Sequence, residues 1–144
     1  MTVIGPLSGR GLKGLKSVQR TRRDGFRHSL RCALAGVACA LHTQANMRFH
    51  LLAAVLVLLA GAFFRLPPGD FALLVLAIFL VLTAEMFNTA VEKTVDLVTD
   101  EYHPLARAAK DVAAGAVLLA ALGSVIIGLL VFLPRLAEML GAGK

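Results

Sequence analysis

From Val112 to Leu133 the chain carries no charged residue. A bilayer's hydrocarbon core is about 30 Å thick and takes about 20 apolar residues in a helix to cross, so this stretch can span it alone. In lipid every backbone N–H and C=O must find its partner inside the segment, which leaves a helix as the form available. Two further apolar stretches come earlier. Phe71 to Ala84 is expected to continue as a helix through Glu85 to about Leu97. Leu51 to Phe64 is shorter and needs Met47 to His50 and Leu66 to reach across. Composition agrees with a membrane chain. Of 144 residues 58% are hydrophobic and 17% charged, and a soluble domain of that size would struggle to hide so much apolar surface.

The spacing predicts one all-α integral membrane domain over residues 24–136, with spans at about 47–66, 70–97 and 105–133. The turn Arg65-Leu-Pro-Pro-Gly-Asp70 would join the first two spans, with Asp70 expected to cap the second. The polar loop Thr99-Asp-Glu-Tyr-His-Pro104 would join the last two, with proline opening the third. Between about 24 and 45, Leu30, Leu34, Val37 and Leu41 recur at helical spacing, with Arg27, His28 and Arg31 on other faces. This reads as an amphipathic helix lying on the membrane surface, or equally as one buried against its neighbours. Residues 1–23 form a basic, mobile segment in this reading, and 137–144 a short tail.

The net charge is +6, and Arg10, Lys13, Lys16, Arg20, Arg22, Arg23, Arg27 and Arg31 all precede the first apolar stretch. On so hydrophobic a chain this points to anionic lipid headgroups rather than nucleic acid. The segment lacks the apolar core and cleavage site of a signal peptide. Lys and Arg also gather between Lys93 and Lys110, whereas the Arg65 turn and the C-terminal tail carry few. The positive-inside tendency then places the N-terminus and the second loop in the cytosol and the C-terminus outside. Cys32 and Cys39, seven residues apart on a helix, have Cα atoms about 10 Å apart, too far for a disulfide. They read as small apolar fillers. Gly9, Gly11 and Gly14 match a dinucleotide-binding spacing by letters but lack the strand–turn–helix context that gives it meaning.

Glu85, Asn88, Glu92 and Asp96 fall within about 80° of one another around a helix and form one polar stripe at the expected cytosolic end of the second span. Carboxylates near lipid are costly and mark functional sites by default. Glu85 and Glu92 lie about 10 Å apart along the axis, so one could hold a metal while the other reaches an acceptor hydroxyl. Asn88 between them can donate or accept. Lys110 and Asp111 open the third span, and a lysine is a point charge suited to phosphate. Phosphoryl transfer asks for this equipment: positioning, neutralisation of phosphate charge and an acceptor for the hydroxyl proton. The same residue types also serve as interhelical hydrogen bonds, and Asp111 could simply pair with Arg107 four residues earlier.

The runs Glu85-Met-Phe-Asn88-Thr-Ala-Val-Glu92-Lys-Thr-Val-Asp96 and His103-Pro-Leu-Ala-Arg-Ala-Ala-Lys110-Asp111 closely resemble the bacterial diacylglycerol kinase family of small membrane enzymes. The likeness runs from about Phe26 to Leu136. Asn46-Met-Arg48-Phe-His50 and the small residues after Asp111 look more like the undecaprenol kinase branch. The resemblance implies a homotrimer in the bacterial plasma membrane, with active sites shared between subunits. It implies transfer of the γ-phosphate of ATP, with Mg2+, to the primary hydroxyl of undecaprenol or of diacylglycerol. By position in the motif Glu85 would be the catalytic base, in contact with the lipid hydroxyl, and Glu92 a metal ligand beside ATP. Asn88 and Asp96 would support the site. Glu101, His103, Lys110 and Asp111 would contact the nucleotide. Separately, the small residues Ala113, Ala114 and Gly115 allow close approach of a lipid or a neighbouring helix, with Ala114 expected to meet the lipid substrate. The family's usual second metal-ligating glutamate falls at Gln44, which offers a carbonyl oxygen but no charge. A cation-coupled transporter and a non-catalytic scaffold are the readings from other classes. Clustering of the stripe at one membrane face speaks against the transporter, which needs carboxylates reachable from both sides.

Overall fold

Four helices make up the computed structural model: α1 Arg22–Thr43, α2 Ala45–Phe63, α3 Pro68–Val98 and α4 Pro104–Met139. The structure describes residues 22–99 and 101–141. The basic segment before Arg22, with its glycine pattern, and the last three residues of the expected tail lie outside the described residues, as does Asp100. The described chain divides within α1 into two compact units, one ending at Ala35 and one starting at Gly36. In the first unit Phe26, Leu30 and Leu34 expose their apolar side chains beside the exposed Arg27 and Arg31. His28 lies one turn from Cys32, with Nδ1 3.6 Å from Sγ. Both cysteines are free.

In the second unit, α2, α3 and α4 are each long and apolar enough to cross a membrane. The 19 residues of α2 give about 28 Å of helix, close to the hydrocarbon thickness. The 31 of α3 and 36 of α4 exceed it, so both project beyond the apolar layer. The central helix is α3, with α2 packed along one side and α4 along another. Its buried residues Leu74, Ala77, Val81, Glu85 and Asn88 recur at three and four and so trace one stripe. The buried residues of α2, Met47, Ala54 and Gly61, recur every seven, and the two small ones let the helices approach closely. A Cβ added at Gly61 would sit 3.1 Å from the Phe71 ring, which shows how tight that approach is.

The α2–α3 corner has a defined chemistry. Arg65 adopts φ +49°, its N–H donates to Ala62 O at 3.1 Å, and the Leu66 N–H donates to Gly61 O at 3.1 Å. These two bonds close α2 with a left-handed residue, an arrangement glycine usually fills. Leu66 then turns inward and forms a small core with Leu74 and Val131, edged by Phe64 and Phe132. Asp70 does not cap α3. The capping position falls at Pro67, in extended conformation, and Pro68 starts the helix with φ already suited to it. Asp70 lies in the first turn and its carboxylate is 3.9 Å from Arg135 instead. That partner exists because α4 does not stop near Leu133. It runs through Pro134 to Met139, and Arg135 also bonds Glu138 one turn on at 3.2 Å.

Candidate functional site

The buried stripe of α3 changes from apolar to polar at Glu85. Its side chain occupies a position that Leu74 and Val81 fill further along the helix, and only 1% of it is exposed. Asn88 follows one turn on and is buried too. Thr89, also buried, donates its hydroxyl to Glu85 O at 2.9 Å, which satisfies it within the helix. Glu85 Oε2 and Asn88 Oδ1 are buried and have no hydrogen-bond partner among the described residues. Unpaired buried acceptors are rare and costly, so two of them one turn apart mark a place that awaits a donor or a cation.

Glu92, two turns beyond Glu85, is half-buried and fully engaged. Asn88 Nδ2 donates to its Oε1 at 3.0 Å and Gln44 Nε2 donates to its Oε2 at 2.9 Å. Gln44 reaches it from the single non-helical position between α1 and α2, where its own N–H still closes α1 on Ala40 O at 2.9 Å. The extended backbone there breaks the helix and sets the side chain against α3. His50, on α2, is half-buried and lines the cleft beside Val81 and Leu82, one turn from Glu85 along α3. It was missed by motif reasoning, yet Met47, His50 and Ala54 recur at three and four along the α2 face that meets α3.

The remaining expected site residues form a second, more exposed group at the loop between α3 and α4. Asp96, Glu101, Tyr102, His103, Arg107, Lys110 and Asp111 line one open groove of about 490 Å³. The polar stripe of α3 therefore divides. Glu85, Asn88 and Glu92 face inward, while Asp96 accepts from Lys110 across to α4. That ion pair is largely solvent-exposed, so it contributes about 1 kcal/mol or less and Lys110 can leave it at little cost. His103 is the N-cap of α4, its Nδ1 accepting from the Leu105 N–H at 3.3 Å. Glu101 is fixed through its backbone N–H, which donates to the Thr99 hydroxyl at 3.1 Å. Asp111 pairs with Arg107 at 3.7 Å, one turn apart and both exposed. Ala114 is exposed on α4, one turn beyond Lys110 and Asp111 on the same helix face, and does not line the groove.

A third feature is apolar. Between α2 and α4, over α3, lies a cleft of about 380 Å³. Val81, Leu82, Phe49 and His50 close it at the Glu85 end, and Phe132 and Val57 lie toward the Arg65 end.

The sequence matches the family described as prokaryotic diacylglycerol kinase over residues 31–132. The chain belongs to that family. Undecaprenol kinase of Bacillus subtilis (strain 168) is 48% identical to it over 101 residues, which cover 70% of this chain and 82% of that one. Diacylglycerol kinase of Synechocystis is 46% identical over 113 residues, 78% of this chain and 65% of that one. Diacylglycerol kinase of Escherichia coli (strain K12) is 32% identical over 91 residues, 63% of this chain and 75% of that one. The protein is thus a multi-pass membrane lipid kinase, and both polar groups described above lie within the matched region or at its edge. The donor set around Glu92 fits a magnesium ion, which takes oxygen ligands from one or two carboxylates or carbonyls and from phosphates. Glu92 supplies the charge. Asn88 already has an unpartnered buried oxygen beside it, and Gln44 can turn a carbonyl toward the same place.

Proposed function

We propose that this kinase transfers the γ-phosphate of Mg-ATP to the primary hydroxyl of undecaprenol at the cytosolic membrane face, giving undecaprenyl phosphate. The single observation that carries the chemistry is the buried Glu85 carboxylate oxygen without a hydrogen-bond partner among the described residues. An acceptor in that state holds a hydroxyl in a directed hydrogen bond and takes its proton when the oxygen attacks. The acceptor oxygen bonds to the γ-phosphorus as the bond from phosphorus to the bridging oxygen of ADP breaks. The proton passes to Glu85, and ADP leaves. An alcohol is a far weaker acid than a carboxylic acid, so the proton moves late, as the new bond forms.

Glu92, with Gln44 and Asn88 around it, would hold the magnesium ion, which when bound neutralises charge on the phosphates. Lys110 would leave Asp96 for a phosphate oxygen. The groove lined by Glu101, His103 and Asp111 would take the rest of the nucleotide, with His103 also fixing the start of α4. The apolar cleft reaches the level of Glu85 and offers a path for the lipid's hydrocarbon chain. Ala114, exposed one turn beyond Lys110 and Asp111, would border the lipid from that side of α4. Large apolar side chains exposed along all three spans give surface for a trimer as well as for lipid. The exposed Phe26, Leu30 and Leu34 beside Arg27 and Arg31 support a surface helix on anionic headgroups. The Asn46-Met-Arg48-Phe-His50 run and the small residues after Asp111 favour undecaprenol over diacylglycerol, and the 48% identity to the Bacillus subtilis undecaprenol kinase, against 46% to the Synechocystis diacylglycerol kinase, is consistent with that choice.

The test is phosphate transfer from ATP by purified protein with magnesium, in mixed micelles holding undecaprenol or diacylglycerol at equal mole fraction. Faster transfer to undecaprenol is expected. Faster transfer to diacylglycerol would replace the substrate but keep the mechanism, and transfer to neither by a folded preparation would overturn the reading.

A further inference from the structure

Two amides hold one carboxylate at the junction of three helices. Each Glu92 oxygen accepts from one of them, Asn88 on its own helix and Gln44 from the α1–α2 break. An amide beside a bare carboxylate turns its NH2 inward, and beside a cation it turns its carbonyl oxygen inward. Both groups reverse by rotation about the last side-chain torsion, with no backbone change. On Asn88 the oxygen that would swing round is buried and unpartnered as it stands, so the present arrangement leaves one strong acceptor unused. We propose that Gln44 is an exchangeable ligand: without a cation its NH2 clamps Glu92, and with one its carbonyl oxygen joins Glu92 in binding it.

The inference rests on the reading that Glu92 holds the divalent cation, and it adds what Gln44 does there. Two consequences follow from charge. First, the metal-free site is already satisfied, so docking of the α1–α2 junction on α3 does not depend on a cation. A second carboxylate at position 44 would place two negative charges on the atoms that now share a hydrogen bond, and that pair would need a cation to stay closed. Second, the site offers one negative charge from Glu92 and neutral oxygens from its neighbours. Affinity of oxygen sites for hard cations rises with ligand charge, so the cation is held weakly alone and is completed by the nucleotide's phosphates.

The experiment uses the full chain in detergent micelles and two readouts independent of catalysis. Binding of Mn2+, without nucleotide, is followed by loss of the free-ion paramagnetic resonance signal. Thermal unfolding is followed in EDTA and in Mn2+. For Gln44→Glu, Mn2+ binding is expected to tighten about tenfold or more. Its unfolding midpoint should drop in EDTA by about 5 °C and recover with Mn2+, whereas the unsubstituted protein should move by less than about 2 °C between the two buffers. A Gln44→Glu protein with unaltered Mn2+ affinity and no dependence on the ion would overturn the proposal. Should that variant fail to fold even with Mn2+, Gln44→Ala decides. Its Mn2+ affinity should fall several-fold, and unchanged affinity would again overturn the role. Phosphate transfer by the unsubstituted protein is measured alongside. Transfer with no effect at position 44 removes the ligand role and leaves the kinase reading standing. The Mn2+ effects without transfer to either lipid do the reverse.

Discussion

Glu85 is a costly residue to place where it lies. It is almost wholly buried, one of its oxygens is unpartnered, and a leucine there would simply continue the apolar stripe of α3. A group kept at that cost acts on something that arrives from outside the chain. Glu85→Gln keeps the shape but removes the proton acceptor, and its effect is expected on turnover rather than folding. Phosphate transfer should fall about 10²–10⁴-fold, with the elution profile and thermal midpoint close to those of the unsubstituted protein. Near-normal turnover in such a preparation would take the base role away from Glu85. The neighbouring residues were unequally legible in the sequence. The stripe of Glu85, Asn88 and Glu92 follows from helical spacing alone. Its Asp96 member does not stay with them, because the helix has by then outrun the packed interior and the side chain meets Lys110 of α4. The Arg107–Asp111 pair was open to reading from spacing. The His103 cap was not, because it depends on an imidazole replacing the usual hydroxyl or carboxylate at that position.

At the scale of the elements, what holds α2 and α4 on α3 differs from one end to the other. At the Arg65 end it is apolar: Leu66, Leu74 and Val131, with Gly61 against Phe71. At the Gln44 end it is polar: the Gln44–Glu92 bond and the Asp96–Lys110 pair. Between the two lies the open cleft. The Asp96–Lys110 pair is exposed to water and individually weak, so that tie can give way to nucleotide while the Arg65 end stays fixed. The fixed end contains one strained element. Arg65 sits in the left-handed region, which costs an L-residue about 1–2 kcal/mol, while glycine enters it freely at some entropic loss. Arg65→Gly should therefore stabilise the corner by about 0.5–1 kcal/mol and raise the thermal midpoint by about 2 °C. A fall in the midpoint would mean that the arginine side chain contributes more than its backbone costs. The sequence placed this corner correctly from its two prolines, but it could not place the cap. Asp70 looked suitable by residue type, and its actual partner Arg135 is visible only once α4 is known to continue through Pro134.

For the molecule as a whole, the three spans were legible because lipid demands long apolar runs, and that demand leaves few alternatives. Their ends were less so, since α3 and α4 extend past the hydrocarbon as ordinary helices, where apolarity no longer marks them. Those extensions carry the charges that bear on the proposed orientation. Lys93, Arg107 and Lys110 cluster at the Gln44 end, while Arg65 and Arg135 lie at the other, the latter paired with Asp70 and Glu138. By the positive-inside tendency this distribution supports the proposed orientation, with the Glu85–Glu92 group on the side where ATP is found. Single cysteines in a background with Cys32 and Cys39 replaced by serine test this directly. Gly69 suits one end, since it is exposed and an added Cβ there meets nothing within 4 Å. Tyr102 suits the other, being 76% exposed. With a membrane-impermeant thiol reagent, Gly69→Cys should label in right-side-out vesicles and Tyr102→Cys only in inverted ones. The opposite pattern would place every residue assigned to the phosphates on the face without nucleotide, and the kinase could not work as proposed however well its carboxylates are arranged.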